Sequence, residues 1–466
     1  MTRTIAIVGG GLSGTLTAVH LMRRAVEADL RIVLINRSGL LARGVAYGTR
    51  SADHVLNVPA ARMSAFESDE GHFLRYAQMQ DPGVQGGTFV RRELYGDYLE
   101  WILEEAHAAL PEPGRFEHRC EHVESLELTD HGTVLHFGQG TWLEADRTVL
   151  ALGHFAPADP RLQDNTVLAS TRYVRDPWRA DALSRIGHDE PVLLLGSGLT
   201  MVDIALALEA RGHRGPMLSL SRRGLLPQPH RTGGAPPIGI PLPDELLAGP
   251  PDLKHWLRMI RTQCDVLAGQ GIDWRETLAS LRTATPDLWQ RLPLRQRAQF
   301  LRHVQAYWDV HRHRLAPPLN ERLQALLGSG RLQVRAGRLQ SLQAGETGGL
   351  VASYRPRGTP DTAVLRIAHV INCTGPSTDL RRAREPLMQS LLACGQATPD
   401  PLGLGLATGE RYALLDANGR PSPVLRYIGP FLRARYWECT AVPELRRHAK
   451  MLADELCTER LGALAH

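Results

Sequence analysis

Paired cysteines and long apolar runs are both missing from this 466-residue chain. Its six cysteines are scattered and no two form a Cys-x-x-Cys pair, so we predict neither a dithiol redox centre of that type nor a zinc site. No apolar run approaches the roughly 20 residues that a membrane-spanning helix needs. The chain begins with a strand pattern rather than a signal peptide. These features predict a cytoplasmic protein with no metal centre.

A strong excess of one charge is also missing. The chain has 54 Lys+Arg against 49 Asp+Glu, a formal net charge of +5, and many of its arginines lie between Arg222 and Arg338. No recognised nucleic-acid-reading module accompanies them. A local basic region favours a small anionic molecule or a cofactor phosphate, and we predict neither nucleic acid nor a membrane as partner.

The first part of the chain carries a glycine-rich turn between a strand and a helix. Residues 4–8 predict a buried strand, GGGLSG covers residues 9–14, and a helix is predicted at about 13–28. In a dinucleotide site the first glycine permits the tight turn, the second lets the backbone approach the pyrophosphate, and the third lets helix pack on strand. The residues predicted to bind the dinucleotide here are Gly9, Gly11, Ser13 and Gly14.

The second predicted strand, residues 31–36, ends in an amide where such a site usually has a carboxylate. A carboxylate there hydrogen-bonds the ribose. Asn36 still offers a hydrogen bond, although a weaker one than a charged acceptor makes. We therefore predict Asn36 as a ribose contact of reduced strength.

A second strand–turn–helix pattern begins near residue 191. An apolar strand (192–195) leads into Gly-Ser-Gly and a helix (199–211), and the next strand (217–221) runs into two arginines. A hydroxyl and two guanidinium groups there suit the 2′-phosphate of NADPH, whereas an acidic residue would suit NADH. The alternative is a solvated basic strand end. The predicted NADPH contacts are Gly196, Gly198, Ser221, Arg222 and Arg223.

Two apolar strands that end in a glycine lie on either side of this second pattern, at residues 148–152 and 370–374. In two-dinucleotide flavoproteins such strands return the chain beneath the cofactor at the domain crossings. They predict an α/β fold with two Rossmann-like domains, the NAD(P) domain being inserted in the FAD domain. The predicted bounds are 1–160 and 366–466 for the FAD domain and 161–365 for the NAD(P) domain, with a helical insertion, suited to a cap over a cleft, at about 236–327.

The C-terminal segment predicts the last flavin contacts. A strand ending in Tyr427 precedes a helix for which Thr440 is the predicted N-cap, with Pro443 in the first turn. The N-terminus of such a helix would stabilise negative charge on the reduced flavin, although an ordinary capped helix is the alternative. The predicted FAD contacts here and at the crossings are Gly153, Gly375, Gly429, Thr440 and Ala441.

Several longer motifs resemble those of a bacterial FAD–NAD(P)-binding family. They run through nearly the whole chain and comprise GVAYGT (44–49), HVLNVPA (54–60), MS (63–64), RELYGDYL (92–99), WDVHRHR (308–314) and the segment 437–446. Some family members resemble flavin-dependent N-hydroxylating monooxygenases, including enzymes that oxidise the amino group of aspartate. The resemblance implies FAD, NADPH and dioxygen, and the hydroxylation of a small amine or amino acid through a flavin C4a-hydroperoxide.

The resemblance also implies roles for individual residues. Asn57 would lie beside the isoalloxazine as a hydrogen-bond partner, or else belong to a rigid loop. Six basic residues would bind a substrate carboxylate through bidentate pairs, or else form a solvated face or pair with acidic neighbours: Arg62, Arg91, Arg92, His311, Arg312 and Arg314. No catalytic residue is assigned, because the cofactor carries the chemistry.

Two other functions stay open at this point. A flavin reductase or NAD(P)H dehydrogenase would pass electrons to another acceptor and would need no oxygen-transfer pocket. A non-catalytic redox sensor would only hold a dinucleotide, and the predicted hydride-donor domain argues against it. The missing Cys-x-x-Cys pair argues against a disulfide reductase.

Overall fold

The computed structural model describes residues 2–231, 237–346 and 348–459; the predicted start of the helical insertion, near residue 236, lies outside these ranges. The strands are β1 (Arg3–Val8), β2 (Leu30–Ile35), β3 (Phe116–Arg119), β4 (Val123–Leu128), β5 (Thr133–Phe137), β6 (Trp142–Ala145), β7 (Arg147–Leu150), β8 (Tyr173–Val174), β9 (Val192–Leu195), β10 (Met217–Ser221), β11 (Leu332–Ala344), β12 (Leu350–Pro356), β13 (Ala363–Ile367), β14 (His369–Asn372), β15 (Ala413–Leu415) and β16 (Pro421–Tyr427).

The helices are α1 (Leu12–Met22), α2 (Gly44–Tyr47), α3 (His72–Gln80), α4 (Arg92–Ala108), α5 (Leu199–Ala210), α6 (Asp244–Ala248), α7 (Leu253–Ala268), α8 (Trp274–Arg291), α9 (Leu294–His303), α10 (Gln305–Arg312), α11 (Pro317–Gly328), α12 (Pro386–Ala393), α13 (Arg433–Tyr436) and α14 (Val442–Thr458). Within the described ranges, no helix combines the length and the apolar character that crossing a membrane requires.

Both ends of the chain build the first sheet, which has the strand order β15-β16-β7-β1-β2-β3. Strand β1 pairs in parallel with β2 and β7, and β16 pairs in parallel with β7. β1 and β2 are apolar and mostly buried, as expected for parallel strands covered on both faces. Helix α1 packs against α4 and α14, and it ends at Met22, six residues before the predicted end, where a turn leads into β2.

The middle of the chain builds the second sheet, of order β13-β12-β11-β10-β9-β14-β8. We predicted that the strand at 370–374 returns the chain to the first domain, with a boundary at 365/366. Instead, β14 lies between β9 and β8 in the second sheet, where all four of its residues are buried and paired with β9. The chain therefore leaves this sheet only after Asn372. Apart from that boundary, the nested arrangement confirms the predicted fold class.

Helices α6–α10, residues 244–312, form a unit that we call the cap. Its longest helices begin at side-chain N-caps, because Asp252 accepts a hydrogen bond from the N–H of His255 and Asp273 from that of Arg275, each at 2.7 Å. The cap packs on the C-terminal segment of the FAD domain. There the ring of Trp289 stacks on Trp437 with centroids 4.7 Å apart.

Candidate cofactor and substrate site

One cavity of about 610 Å³ runs along the carboxyl end of the first sheet. Its walls are the turns after β1 and β2, the segment 43–48, the crossing 151–156 and parts of the C-terminal segment. In open α/β sheets, ligands bind at this edge, outside the carboxyl ends of the strands. Six of the predicted FAD contacts line the cavity: Gly9, Gly11, Ser13, Asn36, Gly153 and Thr440.

Two glycines of the first turn lie too close to neighbouring backbone to carry a side chain. Gly9 has φ +118°, and a Cβ added to it would lie 2.2 Å from the carbonyl oxygen of Ala151. A Cβ on Gly14 would lie 1.9 Å from the carbonyl oxygen of Gly9. A Cβ on Gly11 would meet nothing nearer than 3.6 Å, so the backbone there is open to a ligand. This cradle, with the N-terminus of α1 behind it, fits a pyrophosphate.

Asn36 is engaged with its own loop. Its amide Nδ2 donates to the carbonyl oxygen of Leu40 at 2.6 Å and to Ser38 Oγ at 3.2 Å. A carboxylate enters the same cavity from the neighbouring strand, because Glu121 follows β3 and lines the cavity wall. Glu121 Oε2 is buried and has no hydrogen-bond partner among the described residues. The sequence pattern does not predict this residue, because the ribose acid of such a site usually follows the second strand.

The crossing strand after β7 opens onto the cavity. Gly153 has φ +68°, and an added Cβ would meet nothing within 4 Å. The ring of the next residue, His154, lines the cavity. The surrounding protein and the nearby Arg433 lower the pKa of His154 to about 4, so its imidazole is neutral near pH 7. Gly375 has φ +83° but is not part of the cavity wall, since it follows β14 in the second sheet.

The C-terminal segment closes the cavity. Gly429 has φ +131°, and an added Cβ would lie 3.8 Å from Ser13 Oγ, so the two ends of the chain meet beside the first turn. The predicted N-cap is wrong by one residue. Ala441, with an extended backbone, caps α14, and no side chain accepts a hydrogen bond there. Thr440 instead lines the cavity wall, so the uncapped N–H groups of α14 adjoin it.

Asn57 stands apart from this cavity wall, although its carbonyl oxygen is well held. It accepts a hydrogen bond from His230 Nε2 at 2.9 Å, which joins the FAD domain to the loop after β10. Burial, together with Arg314, lowers the pKa of His230 to about 4. The ring is therefore neutral, and the hydrogen bond that it donates links the two domains.

The second glycine turn repeats the geometry of the first. Gly196 has φ +111°, and an added Cβ would lie 2.5 Å from the carbonyl oxygen of Cys373, whereas a Cβ on Gly198 would meet nothing within 4 Å. The hydroxyl of Ser221 is engaged internally, since its Oγ lies 2.8 Å from Ser197 Oγ and accepts from the N–H of Gly224 at 3.0 Å. Its availability to a phosphate is therefore lower than predicted.

The two arginines after β10 differ in their surroundings. Arg222 is exposed and makes no side-chain hydrogen bond or ion pair with another described residue. Arg223 donates to the carbonyl oxygen of Arg302 at 2.9 Å, and its guanidinium lies over the Tyr307 ring, 4.9 Å from the centroid. Arg223 and Arg357 lower the pKa of the Tyr307 phenol. Neither Arg357 nor Tyr307 is a predicted cofactor contact, because both lie far from Arg223 in the sequence.

Arginines cluster where the cap meets the FAD domain, at the ion pair of Arg282 with Glu444 of α14, and we call this region the cleft. Four of its arginines are matched by carboxylates: Arg231 with Glu276 at 2.5 Å, Arg275 with Asp273 at 2.9 Å, Arg282 with Glu444 at 2.6 Å, and Arg312 with Glu438 at 3.4 Å. Arg62 and Arg314 have no carboxylate partner in the described part of the chain. Burial and the neighbouring arginines lower the pKa of Arg314 to about 10. The cleft therefore carries positive charge that its own carboxylates do not neutralise.

Other predicted carboxylate-binding residues do not join this cleft as expected. Arg92 pairs with the buried Asp203 at 2.7 Å and donates to the carbonyl oxygen of Val55, so its guanidinium links α4 to α5. It is therefore not available to a substrate, and the alternative of an acidic neighbour holds for this residue. His311 Nδ1 donates to its own helix, at 2.7 Å from the carbonyl oxygen of Tyr307.

The fold and the cavity are those of a two-dinucleotide flavoprotein. Residues 6–155 match the model of the FAD-NAD(P)-binding family, which confirms FAD and NAD(P) as the predicted types of cofactor. Comparison with curated protein sequences gave no significant match.

Solved structures share the whole architecture at low sequence identity. L-lysine 6-monooxygenase from Pseudomonas syringae has a TM-score of 0.68 at 16% identity, over 98% of this chain and 100% of its own. Ornithine N-hydroxylase KtzI from Kutzneria sp. 744, solved with reduced FAD, NADP+ and L-ornithine, has a TM-score of 0.63 at 13% identity, over 98% and 99%. Thioredoxin reductase from Lactococcus lactis has a TM-score of 0.53 at 10% identity, over 97% of each chain.

Proposed function

We propose that the protein is an FAD-dependent monooxygenase, reduced by NADPH, that hydroxylates the amine of a small carboxylate-bearing molecule. The cleft with two unmatched guanidinium groups, Arg62 and Arg314, carries this proposal. It adjoins the cavity through the C-terminal segment, because Arg312 pairs with Glu438 and Thr440 lines the cavity wall. Two amino-acid hydroxylases of the same fold support it.

The cofactor contacts follow from the two glycine turns. The N–H groups after β1 bind the FAD pyrophosphate, with Glu121 as the ribose acceptor. The N–H groups after β9 bind the pyrophosphate of NADPH, and Arg222 binds its 2′-phosphate. When bound, FAD accepts a hydride from NADPH and activates dioxygen.

The cleft binds and prepares the substrate. Arg314 and Arg62 bind the carboxylate. Arg314 is partly buried and its Nε has no hydrogen-bond partner among the described residues, so water competes less for it than for the exposed Arg62. The surplus positive charge lowers the pKa of the substrate ammonium. The amine therefore loses its proton more readily, and the neutral amine is the nucleophilic form.

The second candidate is an NAD(P)H dehydrogenase or reductase, because thioredoxin reductase shares the fold. A disulfide-reducing version is disfavoured because the chain has no Cys-x-x-Cys pair and two of its thiols are buried. Cys373 and Cys439 are fully buried, and burial raises the pKa of both, so neither forms a reactive thiolate. Contacts between the domains, such as Arg92 with Asp203, favour a fixed arrangement of the two cofactor sites.

The decisive experiment measures NADPH oxidation and dioxygen consumption by the FAD-loaded protein. The panel contains amino acids with one and with two carboxylates and, as controls, amines of similar size without a carboxylate. Stimulation by carboxylate-bearing amines, with a hydroxylated product by mass spectrometry, supports the proposal. Flavin bleaching by NADPH without stimulation by any amine supports the reductase instead.

Variants of Arg314 test the substrate site. Losing a hydrogen bond to a charged group costs about 1.5–3 kcal/mol, so Arg314→Ala is expected to raise KM for the amine by about 10- to 100-fold. Arg314→Lys is expected to recover only part of the affinity for the amine, because lysine cannot make the bidentate hydrogen bonds of arginine. Arg295→Ala, an exposed arginine of the cap, is the matched control. An unchanged KM in Arg314→Ala removes this residue from the substrate site.

A further inference from the structure

A continuous file of redox-active aromatic rings leads away from the cofactor cavity. Tyr47 lines the cavity, and its ring centroid lies 4.7 Å from that of Tyr95. The next steps are 5.6 Å from Tyr95 to Tyr98 and 6.2 Å from Tyr98 to Trp101. A second branch runs through Tyr76, 5.3 Å from Tyr98 and 5.1 Å from Trp101. We call Tyr47, Tyr95, Tyr98, Tyr76 and Trp101 the aromatic file.

The file crosses the FAD domain from cavity to surface. Tyr95 and Tyr98 are fully buried, at 0% exposure, and Tyr76 is 7% exposed. Trp101, on α4, is only partly buried. Electron transfer between aromatic side chains weakens steeply with distance. A series of rings in near contact therefore moves an electron faster than a single transfer across the same span.

Packing alone explains a cluster of aromatic rings, but it does not explain the hydroxyl of Tyr95. That hydroxyl is buried without a hydrogen-bond partner among the described residues, which costs free energy. Phenylalanine fills the adjoining space at Phe73, 5.0 Å from Tyr95, and would fill this one without that cost. A phenol differs from a phenyl ring chiefly in being far easier to oxidise.

Tyr98, unlike Tyr95, has a partner that can accept its phenolic proton. Its hydroxyl lies 2.8 Å from His72 Nδ1 and accepts from the N–H of Ala65 at 3.1 Å. Burial lowers the pKa of His72, so its ring is neutral and Nδ1 can accept a proton. The His72 ring also stacks on Trp101, with centroids 5.5 Å apart. Losing an electron from Tyr98 can thus be coupled to moving its proton.

We propose that the aromatic file carries oxidising equivalents from the flavin cavity to the protein surface. A one-electron oxidant in the cavity, such as a radical derived from dioxygen, takes an electron from Tyr47, and Tyr95 replaces it. Tyr47 and Tyr95 keep their phenolic protons during these transfers. Tyr98 then loses one electron while its phenolic proton passes to His72 Nδ1. Trp101 then gives one electron to Tyr98, whose proton returns from His72. At the surface, a small thiol gives one electron to the oxidised Trp101 and its proton to water, which leaves a thiyl radical. The inference rests on FAD occupying the cavity and not on amine hydroxylation.

The test uses the FAD-loaded protein with a light flash as the source of the oxidant. Excited flavin takes one electron, and transient absorption records tyrosyl and tryptophanyl radicals. Wild type is expected to show both radicals and shortened flavin fluorescence. Tyr47→Phe loses both radical signals, whereas Trp101→Phe loses only the tryptophanyl signal. Tyr412→Phe is the matched control, because Tyr412 has a similar histidine partner, His448 Nδ1 at 2.9 Å, and lies outside the file.

Tyr95→Phe keeps the test decisive if Tyr47→Phe fails to hold FAD. It does not touch the cavity wall and removes only the unpartnered hydroxyl, so it is expected to fold, bind FAD and lose the tryptophanyl signal. Radical signals that are absent in wild type, or unchanged in Tyr95→Phe, overturn the proposal. Failure to bind FAD, seen in the absorption spectrum, overturns it together with the cofactor assignment. Normal radicals without amine oxidation refute only the proposed function.

Discussion

The indole N–H of Trp308 donates to Glu438 Oε1 at 2.8 Å, across 130 residues of sequence. Trp308 belongs to the cap and Glu438 to the segment that closes the cofactor cavity. The Glu438 carboxylate is 9% exposed and also faces Arg312 at 3.4 Å. Two motifs that are distant in the sequence therefore form one polar contact, and this contact fixes the cap above the cleft.

Replacing Trp308 by phenylalanine tests this contact. The variant leaves a buried carboxylate short of one donor, which is expected to cost about 1.5–3 kcal/mol. Urea unfolding measures the loss, and limited proteolysis shows whether the cap becomes the first site of cleavage. Trp142→Phe, at a site that is 57% exposed, is the control and should change stability by less than about 0.5 kcal/mol. Equal stability in both variants would mean that Trp308 does not hold the cap.

Glu121 provides a second test, on FAD binding. Glu121→Gln is expected to lower FAD affinity by about tenfold or more, because a charged acceptor is replaced by a neutral one. An acid at position 36, where such a site usually has its carboxylate, should not raise FAD affinity. Asn36→Asp removes the donor to the carbonyl oxygen of Leu40 and so is expected to weaken FAD binding as well. Titration of the apoprotein with FAD measures both.

The control for this test is Glu124→Gln, at an exposed position of β4, which should bind FAD like wild type. If Asn36→Asp binds FAD more tightly than wild type, Asn36 and not Glu121 occupies the ribose position.

Sequence patterns predicted the parts of this protein that depend on neighbours in the chain. Both glycine turns follow a strand and precede a helix, and their positions came directly from residues 9–14 and 196–198. The N-cap preference for threonine predicted Thr440, but the N-cap of α14 is Ala441. One further residue of extended backbone decides where this helix begins. Propensity does not resolve such a shift.

Contacts between distant segments of the chain could not be predicted from the sequence. Arg92 was a candidate for a substrate carboxylate, yet its partner is Asp203, 111 residues away. Strand β14 was assigned to the first sheet because its glycine ending resembles the earlier crossing, but pairing with β9 decides its place. Arg222 was found by its position after β10. Arg357 is instead brought near Tyr307 by the antiparallel strands β11 and β12, which single-sequence patterns do not pair.

The second glycine turn allows a matched pair of substitutions. In Gly196→Ala the new Cβ would lie 2.5 Å from the carbonyl oxygen of Cys373, at φ +111°, so we expect a loss of about 1–3 kcal/mol in stability. In Gly198→Ala the Cβ meets nothing within 4 Å, so the fold should be unchanged. That methyl group occupies the approach to the phosphate, and KM for NADPH should rise about tenfold. Thermal unfolding and steady-state kinetics measure the two effects. A normal KM for NADPH in Gly198→Ala would mean that the cofactor does not bind at this turn.

Arg222 tests the choice between NADPH and NADH. Arg222→Ala is expected to weaken NADPH by about 10- to 100-fold, the equivalent of about 1.5–3 kcal/mol for a charged hydrogen bond. NADH should be unaffected, because it has no 2′-phosphate. KM for each cofactor measures the effect, with the exposed Arg366→Ala as control. If KM for NADH rises by the same factor, Arg222 contacts a part of the cofactor that NADPH and NADH share.

His448 predicts how stability depends on pH. Burial lowers its pKa from 6.5 to about 4, and its ring is held by the Tyr412 hydroxyl. The folded state therefore favours the neutral ring, while the unfolded chain takes up a proton as soon as pH falls below about 6.5. The stability is complete above that pH and is lost progressively down to about pH 4, by about 3 kcal/mol at most.

Urea unfolding at about pH 7.5 and about pH 5 measures this loss. His448→Gln has no proton to gain, so its stability should fall less than that of wild type between the two values. His131→Gln, in an exposed turn, should follow wild type. An equal fall in wild type and His448→Gln would mean that other buried histidines, His20 among them, account for the acid sensitivity.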